Sequence, residues 1–430
     1  PLFGEEDVML EQYFIRPATV DRIRESWIGD SIEQYVIWLH DQGYARRSVF
    51  QRVPCLVRFG DFAHAQGAAL PGELPEYVEP YVTAWLKANN KLSAVDQTRS
   101  CAARSIRGPI YQFLRVILPG YRGGIRGHGL PRPFRNCVPG FFPYLVDERG
   151  LSSQSLIQYD HHLRDFEDYL DAIGVNTLSE LSPAVLSSYV THRSQPLAKR
   201  SIQRFCSVLK IFLQYLHRES LTQRDLSAWI EPPRQYRHTD IPRSITWGEV
   251  RHLLESIDRR SPVGKRDYAI LLMLVTYGLR AREIAAMRLD HIDWRHERLH
   301  VPERKAGHST AFPLSPIVGQ AIVNYLQSGR PTSSDRALFL RGMAPYTAVT
   351  HGAVSQAAKR AIRKAGIKVL HPGSHTLRHT CVQRLVDAHI SLKTIGDYMG
   401  HRTSVATEVY AKIDIEALRD VAMGDGEAVL

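Results

Sequence analysis

Cysteine is scarce in this 430-residue chain: five residues, Cys55, Cys101, Cys137, Cys206 and Cys381, odd in number and far apart. No pair has the spacing of metal ligands, which excludes a zinc finger, and sparse thiols suit a reducing compartment better than a disulfide framework. The N-terminus carries acids early and no apolar signal segment, so a cytoplasmic protein is expected. Long hydrophobic runs are missing too. The longest, YAILLMLVTYGL from Tyr268 to Leu279, is too short to span a bilayer and reads as a buried helix. Acids are absent over two whole stretches, from Gln97 to Val146 and from Thr191 to Arg218. No cluster of carboxylates fits a two-metal site, and no cofactor is expected.

The balance that remains is basic, with a formal net charge of +11. Such a charge favours an anionic partner, of which nucleic acid is the commonest. The acid-free stretches concentrate it. The first holds Arg99, Arg104, Arg107, Arg115, Arg122, Arg126, Arg132 and Arg135; the second holds Arg193, Lys199, Arg200, Arg204, Lys210 and Arg218. Each is either a solvated face or a face that follows a phosphate backbone.

A chain of this length exceeds one core and divides into regions. Residues 1–118 read as helical: Ile32, Tyr35, Val36, Ile37 and Leu39 recur with helical spacing up to Gly43, and a further helix runs through SVFQRVPCLVRFGDFAHAQG with Pro54 near its first turns. Residues 119–140 are rich in glycine and proline and read as a linker or extended clamp. Residues 141–235 form a second helical unit. Its stripes are Leu156, Tyr159, Leu163, Phe166, Leu170 and Ile173, then Ile202, Phe205, Val208, Leu209, Phe212 and Leu213. A polar linker spans 236–245, and the last domain, 246–430, opens on a capping box of Thr246 and Glu249. A faint repeat joins the two helical units: the segment from Gly43 resembles that from Gly150, and the segment from Thr98 resembles that from Leu197. Two amphipathic helical bundles that look alike by patterning would produce this likeness, and so would a duplicated DNA-binding unit. On that second reading residues 1–118 add affinity and site length, not chemistry.

Chemistry-bearing residues gather after residue 279. GLRAREI sets Arg280 and Glu283 three apart, on one face of a helix; alone they would be a surface ion pair. Ile292 and Trp294, then Leu299 and Val301, then Phe312 and Leu314, suggest short strands, with Lys305 beside a hairpin turn at Ala306–Gly307. In GSHTLRHTCVQRL, Ser374 is a plausible N-cap, His375 and Arg378 share a helix face, His379 suits packing or support, and Cys381, Val382 and Leu385 face a core. MGHRTSVATEVY places Tyr410 nine residues after His401.

Taken together, these motifs resemble the catalytic domain of the tyrosine recombinases, the family of the Xer recombinases and phage lambda integrase. The resemblance is strong over residues 241–415, covers 141–235 as a helical core-binding domain, and is weak over 1–118. It implies a mainly α fold with a small antiparallel β-sheet, closing as a C-shaped clamp on DNA. It assigns the active site to Arg280, Lys305, His375, Arg378, His401 and Tyr410. Tyr410 would be the nucleophile, forming a 3′-phosphotyrosyl link and freeing a 5′-hydroxyl. Arg280 and Arg378 would clamp the non-bridging oxygens, with a further hydrogen bond from His401. His375 would take the phenol proton, Lys305 would protonate the leaving oxygen, and Glu283 would orient a basic neighbour. Four protomers on two duplexes are implied, with partner recombinases a further option. One departure stands out: the family hairpin commonly reads Gly-Lys-Gly-x-Lys-x-Arg, whereas this chain has ERKAGHSTAFPL, without the second lysine and the arginine. The nearest alternatives are a type IB topoisomerase and an inactive architectural DNA-binding protein. The N-terminal region favours a mobile-element enzyme.

Overall fold

The computed structural model describes residues 9–91, 96–124, 132–195, 197–233, 244–304 and 308–400. Lys305, His401, Tyr410 and Arg126 lie outside the described residues. The chain forms two compact units, Pro1–Phe62 with Asp240–Leu430, and Ala63–Thr239. The boundary between them falls inside a helix, whereas the sequence pattern marks 1–118 as one region. No helix among the described residues is long and apolar enough to cross a membrane.

The first part of the chain holds α1 (Met9–Tyr13), α2 (Pro17–Arg24), α3 (Gly29–Asp41) and the long α4 (Arg46–Ala65). In α3, Ile32, Tyr35, Val36 and Leu39 are buried, as their spacing required. Pro54 stands in the middle of α4, not in its first turns. There it withholds a donor from the carbonyl four residues earlier. Next come α5 (Val78–Ala88) and α6 (Asp96–Ile117).

The second helical unit comprises α7 (Phe141–Asp147), α8 (Ser153–Ala172), α9 (Pro183–Ser194) and α10 (Lys199–Arg218). Serine hydroxyls cap both α8 and α9, Ser152 accepting from the Ser155 amide and Ser182 from the Val185 amide. Leu163, Phe166 and Leu170 of α8 meet Phe205, Leu209, Phe212 and Leu213 of α10 in one core. Phe134 and Val138 belong to the same core. Packing thus begins inside the stretch that glycine and proline content marks as linker. Ile173 leaves the stripe: α8 ends at Ala172, and the residue beyond it is 46% exposed.

The last domain opens on α11 (Trp247–Glu255), whose capping box is formed as the sequence indicated. Thr246 Oγ1 accepts from the Glu249 amide at 3.2 Å, and Glu249 accepts from the Thr246 amide at 2.7 Å. The apolar run becomes α12 (Pro262–Tyr277), buried from Ala269 to Val275. Around it pack α13 (Ala281–Ala285), α14 (Pro316–Ser328), α15 (His351–Lys364) and α16 (Ser374–Asp387); α17 (Leu392–Met399) follows. Three antiparallel strands, β1 (Ile292–Asp293), β2 (Arg298–Arg304) and β3 (His308–Pro313), run in sequence order. Leu299 opposes Phe312 and both are buried in the domain core. Trp294 lies past β1 and is 45% exposed, since Asp293 accepts from the Arg295 and His296 amides and turns the chain outward.

Candidate active site

The site is built at one end of α12. Gly278 stops that helix in the left-handed conformation, φ 60°. A Cβ on Gly278 would lie 2.8 Å from Met399 Cε and 3.1 Å from Cys381 Sγ, so this turn needs glycine for both angle and space. Two residues later Arg280 caps α13. Its amide donates to Glu283 Oε2 at 2.8 Å, its Nη1 donates to Glu283 Oε1 at 2.8 Å, and its Nη2 donates to the Gly400 carbonyl at 3.1 Å. The Glu283 side chain is only 6% exposed. The spacing of Arg280 and Glu283 thus makes a half-buried ion pair, not a surface one.

Helix α16 supplies the second guanidinium. Its N-cap is Gly373; Ser374 is the first helical residue and caps nothing. Arg378 is 5% exposed. Its Nη1 donates to the Gly278 carbonyl and its Nη2 donates to the Met399 carbonyl at 2.9 Å. A guanidinium removed from water is costly unless its donors are met, and each charge-assisted bond here is worth about 1.5–3 kcal/mol. Arg280 and Arg378 therefore reach the consecutive carbonyls of Gly400 and Met399, at the end of α17. That end turns through Gly400, φ 62°, and the next residue in sequence is His401.

The surroundings fix this geometry. Val382, Val386, Ile395 and Met399 join α16 to α17 in a small core, and Tyr398 meets Phe312 of β3 edge-on with ring centroids 5.1 Å apart. Cys381 Sγ donates to the Thr276 carbonyl at 3.6 Å, and burial pushes its thiol up to about 11, so it is a packing residue. His375 is exposed at the start of α16, one turn from His379. Burial, and then the charges of His375 and Arg378, push His379 down to about 4, so it is neutral at pH 7.

Sequence reasoning missed the carbonyl anchors and Gly278, although a glycine closing an apolar helical run was the available signal. It also missed Thr380, whose Oγ1 accepts from the Ile245 amide at 3.0 Å and pins the entry to the domain onto α16. Arg384 lies over the Trp247 ring, 4.6 Å from its centroid.

Several of the candidate DNA contacts in the other unit are held by ion pairs. Arg107 forks onto Glu79, Arg193 pairs with Asp165, and Arg132 reaches Asp160 at 3.4 Å while covering the Phe142 ring. Lys199, Arg200 and Arg204 are exposed along the start of α10, Lys210 is half-buried, and Arg99, Arg104, Arg122 and Arg135 are exposed.

Residues 243–416 match the Phage integrase family, and residues 138–220 match the phage integrase N-terminal SAM-like domain. An integrase/recombinase named y4rA from Sinorhizobium fredii (strain NBRC 101917 / NGR234) is 30% identical over 414 residues, 96% of this chain and 98% of that protein. Tyrosine recombinase XerD of Lacticaseibacillus casei is 28% identical over 286 residues, 65% of this chain and 95% of its own. Among solved structures, the XerH site-specific recombinase in its post-cleavage complex with a palindromic difH substrate superposes with a TM-score of 0.54 at 18% identity, over 64% of this chain and 80% of that one. A lambda integrase dimer bound to a COC′ core site gives 0.51 at 17%, over 63% and 92%. With a relative matched from end to end and two family domains in order, the chain belongs to the phage integrase family of tyrosine recombinases.

Proposed function

We propose that this protein cuts and rejoins duplex DNA at specific sites by two transesterifications through Tyr410. The observation that carries the reading is the pair of guanidinium groups, Arg280 and Arg378, fixed on the carbonyls of the first two residues of MGHRTSVATEVY. A phosphoryl centre accumulates charge on its non-bridging oxygens as the phenol adds, and oriented cations stabilise that charge without having to reorganise. The Tyr410 oxygen forms a bond to phosphorus and the bond to the 5′ oxygen breaks. The phenol proton passes to His375, Lys305 supplies one to the departing oxygen, and His401 hydrogen-bonds the phosphoryl group. Glu283 holds Arg280 at its angle. A 5′-hydroxyl from another strand then attacks the phosphotyrosine and releases the enzyme, so no nucleotide is consumed.

The 138–220 unit holds the duplex through Lys199, Arg200 and Arg204, positioning by phosphate contact while other side chains read bases. Two duplexes are brought together by four protomers, as the resemblance implies. The near end-to-end match to y4rA favours a mobile-element enzyme working on cytoplasmic, nucleoid DNA. Labelled duplexes tiled across the DNA flanking the gene, nicked beside the scissile position, test the assignment on a denaturing gel. Wild type is expected to form a covalent adduct and Tyr410→Phe to bind without forming one. An undiminished adduct in Tyr410→Phe removes Tyr410 as nucleophile. Relaxation of any supercoiled plasmid, with no joining between two sites, would instead make the enzyme a topoisomerase.

A further inference from the structure

The helices ahead of the SAM-like unit repeat it. A 20-residue helix, α4, begins at 46, a 3-10 turn follows at 71, then the 11-residue α5 at 78 and the 22-residue α6 at 96. In the matched unit a 20-residue helix, α8, begins at 153, a 3-10 turn follows at 178, then the 12-residue α9 at 183 and the 20-residue α10 at 199. Each turn starts 25 residues after its long helix does. Glycines of positive φ frame both long helices: Gly43 and Gly67 in one, Gly150 and Gly174 in the other. Beyond each second glycine the chain is tied back by the same bond, the Ala68 amide to the Ala63 carbonyl at 3.0 Å and the Val175 amide to the Leu170 carbonyl at 3.0 Å.

The buried positions coincide as well. Leu56, Phe59 and Ala63 stand where Leu163, Phe166 and Leu170 stand, and Ile110, Phe113 and Leu114 where Leu209, Phe212 and Leu213 stand; all twelve are buried. Amphipathic patterning alone demands stripes. It does not demand helices of similar length in the same order, or two left-handed glycines at matched distances. The region of residues 43–118 lies outside both family matches, yet relatives such as y4rA align through nearly the whole chain.

The two copies also expose cations at the start of their last helix, one residue out of register: where Phe113 is paired with Phe212, Arg99 and Arg104 stand at the places of Ala198 and Gln203. At the start of α10 the exposed residues include Lys199, Arg200 and Arg204; at the start of α6 they include Arg99, Ser100, Arg104, Ser105 and Gly108. The α6 face is cationic, lined with small side chains, and lies in the acid-free stretch from Gln97 to Val146. We propose that residues 43–118 are a duplicate of the SAM-like unit, and that Arg99 and Arg104 on α6 grip phosphates of a second DNA segment, lengthening the duplex held by each protomer. This rests on the reading of the 138–220 unit as a DNA-binding unit.

Equilibrium binding of the full chain to mixed-sequence duplexes tests it, with lengths from about 15 to about 40 base pairs and a potassium chloride series giving the salt slope. Wild type is expected to gain affinity as the duplex lengthens. The R99E/R104E variant should match wild type on the shortest duplex, lose the gain with length, and show a salt slope shallower by about 2 on the long one. The conservative R99K/R104K variant should retain the gain. Wild-type length dependence and slope in R99E/R104E overturn the proposal, as does loss of the gain in R99K/R104K. An altered assembly state with unchanged DNA binding overturns it too, and assigns the copy to joining protomers. K199E/R200E/R204E gives the separate control: if it binds as wild type at every length, the underlying reading of the 138–220 unit fails instead.

Discussion

Glu283 holds the fork of Arg280 from a nearly dry position, and its carboxylate also accepts from the Arg280 amide. Glu283→Gln keeps the shape but removes the charge from the pair. A charge-assisted bond of about 1.5–3 kcal/mol, lost at the transition state, corresponds to single-turnover cleavage slower by about 10- to 100-fold. DNA affinity should stay close to wild type, and equal losses in affinity and rate would mean that Glu283 only supports the fold. A second residue-scale prediction concerns His162 of α8. Both ring nitrogens are buried without a hydrogen-bond partner, and the ring packs towards Phe205. Burial, then the charges of His161 and Arg193, push its pKa down to about 4, against about 6.5 in the unfolded chain. As pH falls the unfolded state takes up this proton first. Native stability is therefore complete above about pH 6.5 and declines progressively towards pH 4. His162→Phe should flatten that decline in urea titrations at a series of pH values; an equally steep decline in the variant would exclude His162 as its source.

Among the elements, the turn from α12 into α13 decides most. Gly278→Ala asks an alanine to hold φ 60° and to place its Cβ against Met399 and Cys381. Destabilisation of about 1–3 kcal/mol is expected. Cleavage should fall as well, because the Gly278 carbonyl is an anchor of Arg378. Urea unfolding and single-turnover cleavage check the two together, and a variant as stable and as active as wild type contradicts the role given to the turn. The apolar stripes of α8, α10 and α12, the strand pair around Leu299 and Phe312, and the Thr246–Glu249 cap were all legible in the sequence. Each is a periodic or short-range signal that burial reinforces. Element edges were less legible. Ile173 continues the spacing of its stripe, but the helix stops one residue earlier; Ser374 has the chemistry of a cap, but Gly373 occupies that position. The arginine anchors were not legible at all. Backbone carbonyls carry no residue-type signal, and those of Met399 and Gly400 meet Arg378 and Arg280 only through tertiary packing.

For the whole molecule, cleavage is expected to persist in excess EDTA and without nucleotide, since on the proposed mechanism a phosphotyrosine would conserve the energy of the broken bond and the arginines would carry the electrostatic load. Cleavage lost in EDTA and restored specifically by magnesium, with DNA binding unchanged, would contradict this. The fastening of Gly400 to Arg280 has a further consequence, which is one of concentration. Tyr410 follows Gly400 by ten residues, so its hydroxyl is leashed to the clamp by at most about 35 Å of chain, and by about 15 Å if helical. One hydroxyl confined to such a sphere is present at an effective concentration on the order of 10 mM or more. A free protomer in dilute solution cannot rival that supply, and only a neighbour already docked beside the clamp could. At protomer concentrations well under the effective value, Tyr410→Phe mixed with Arg378→Ala should therefore restore no cleavage unless the two are first assembled on one DNA. Restoration that rises in proportion to free protomer would mean that the clamp draws its nucleophile from solution.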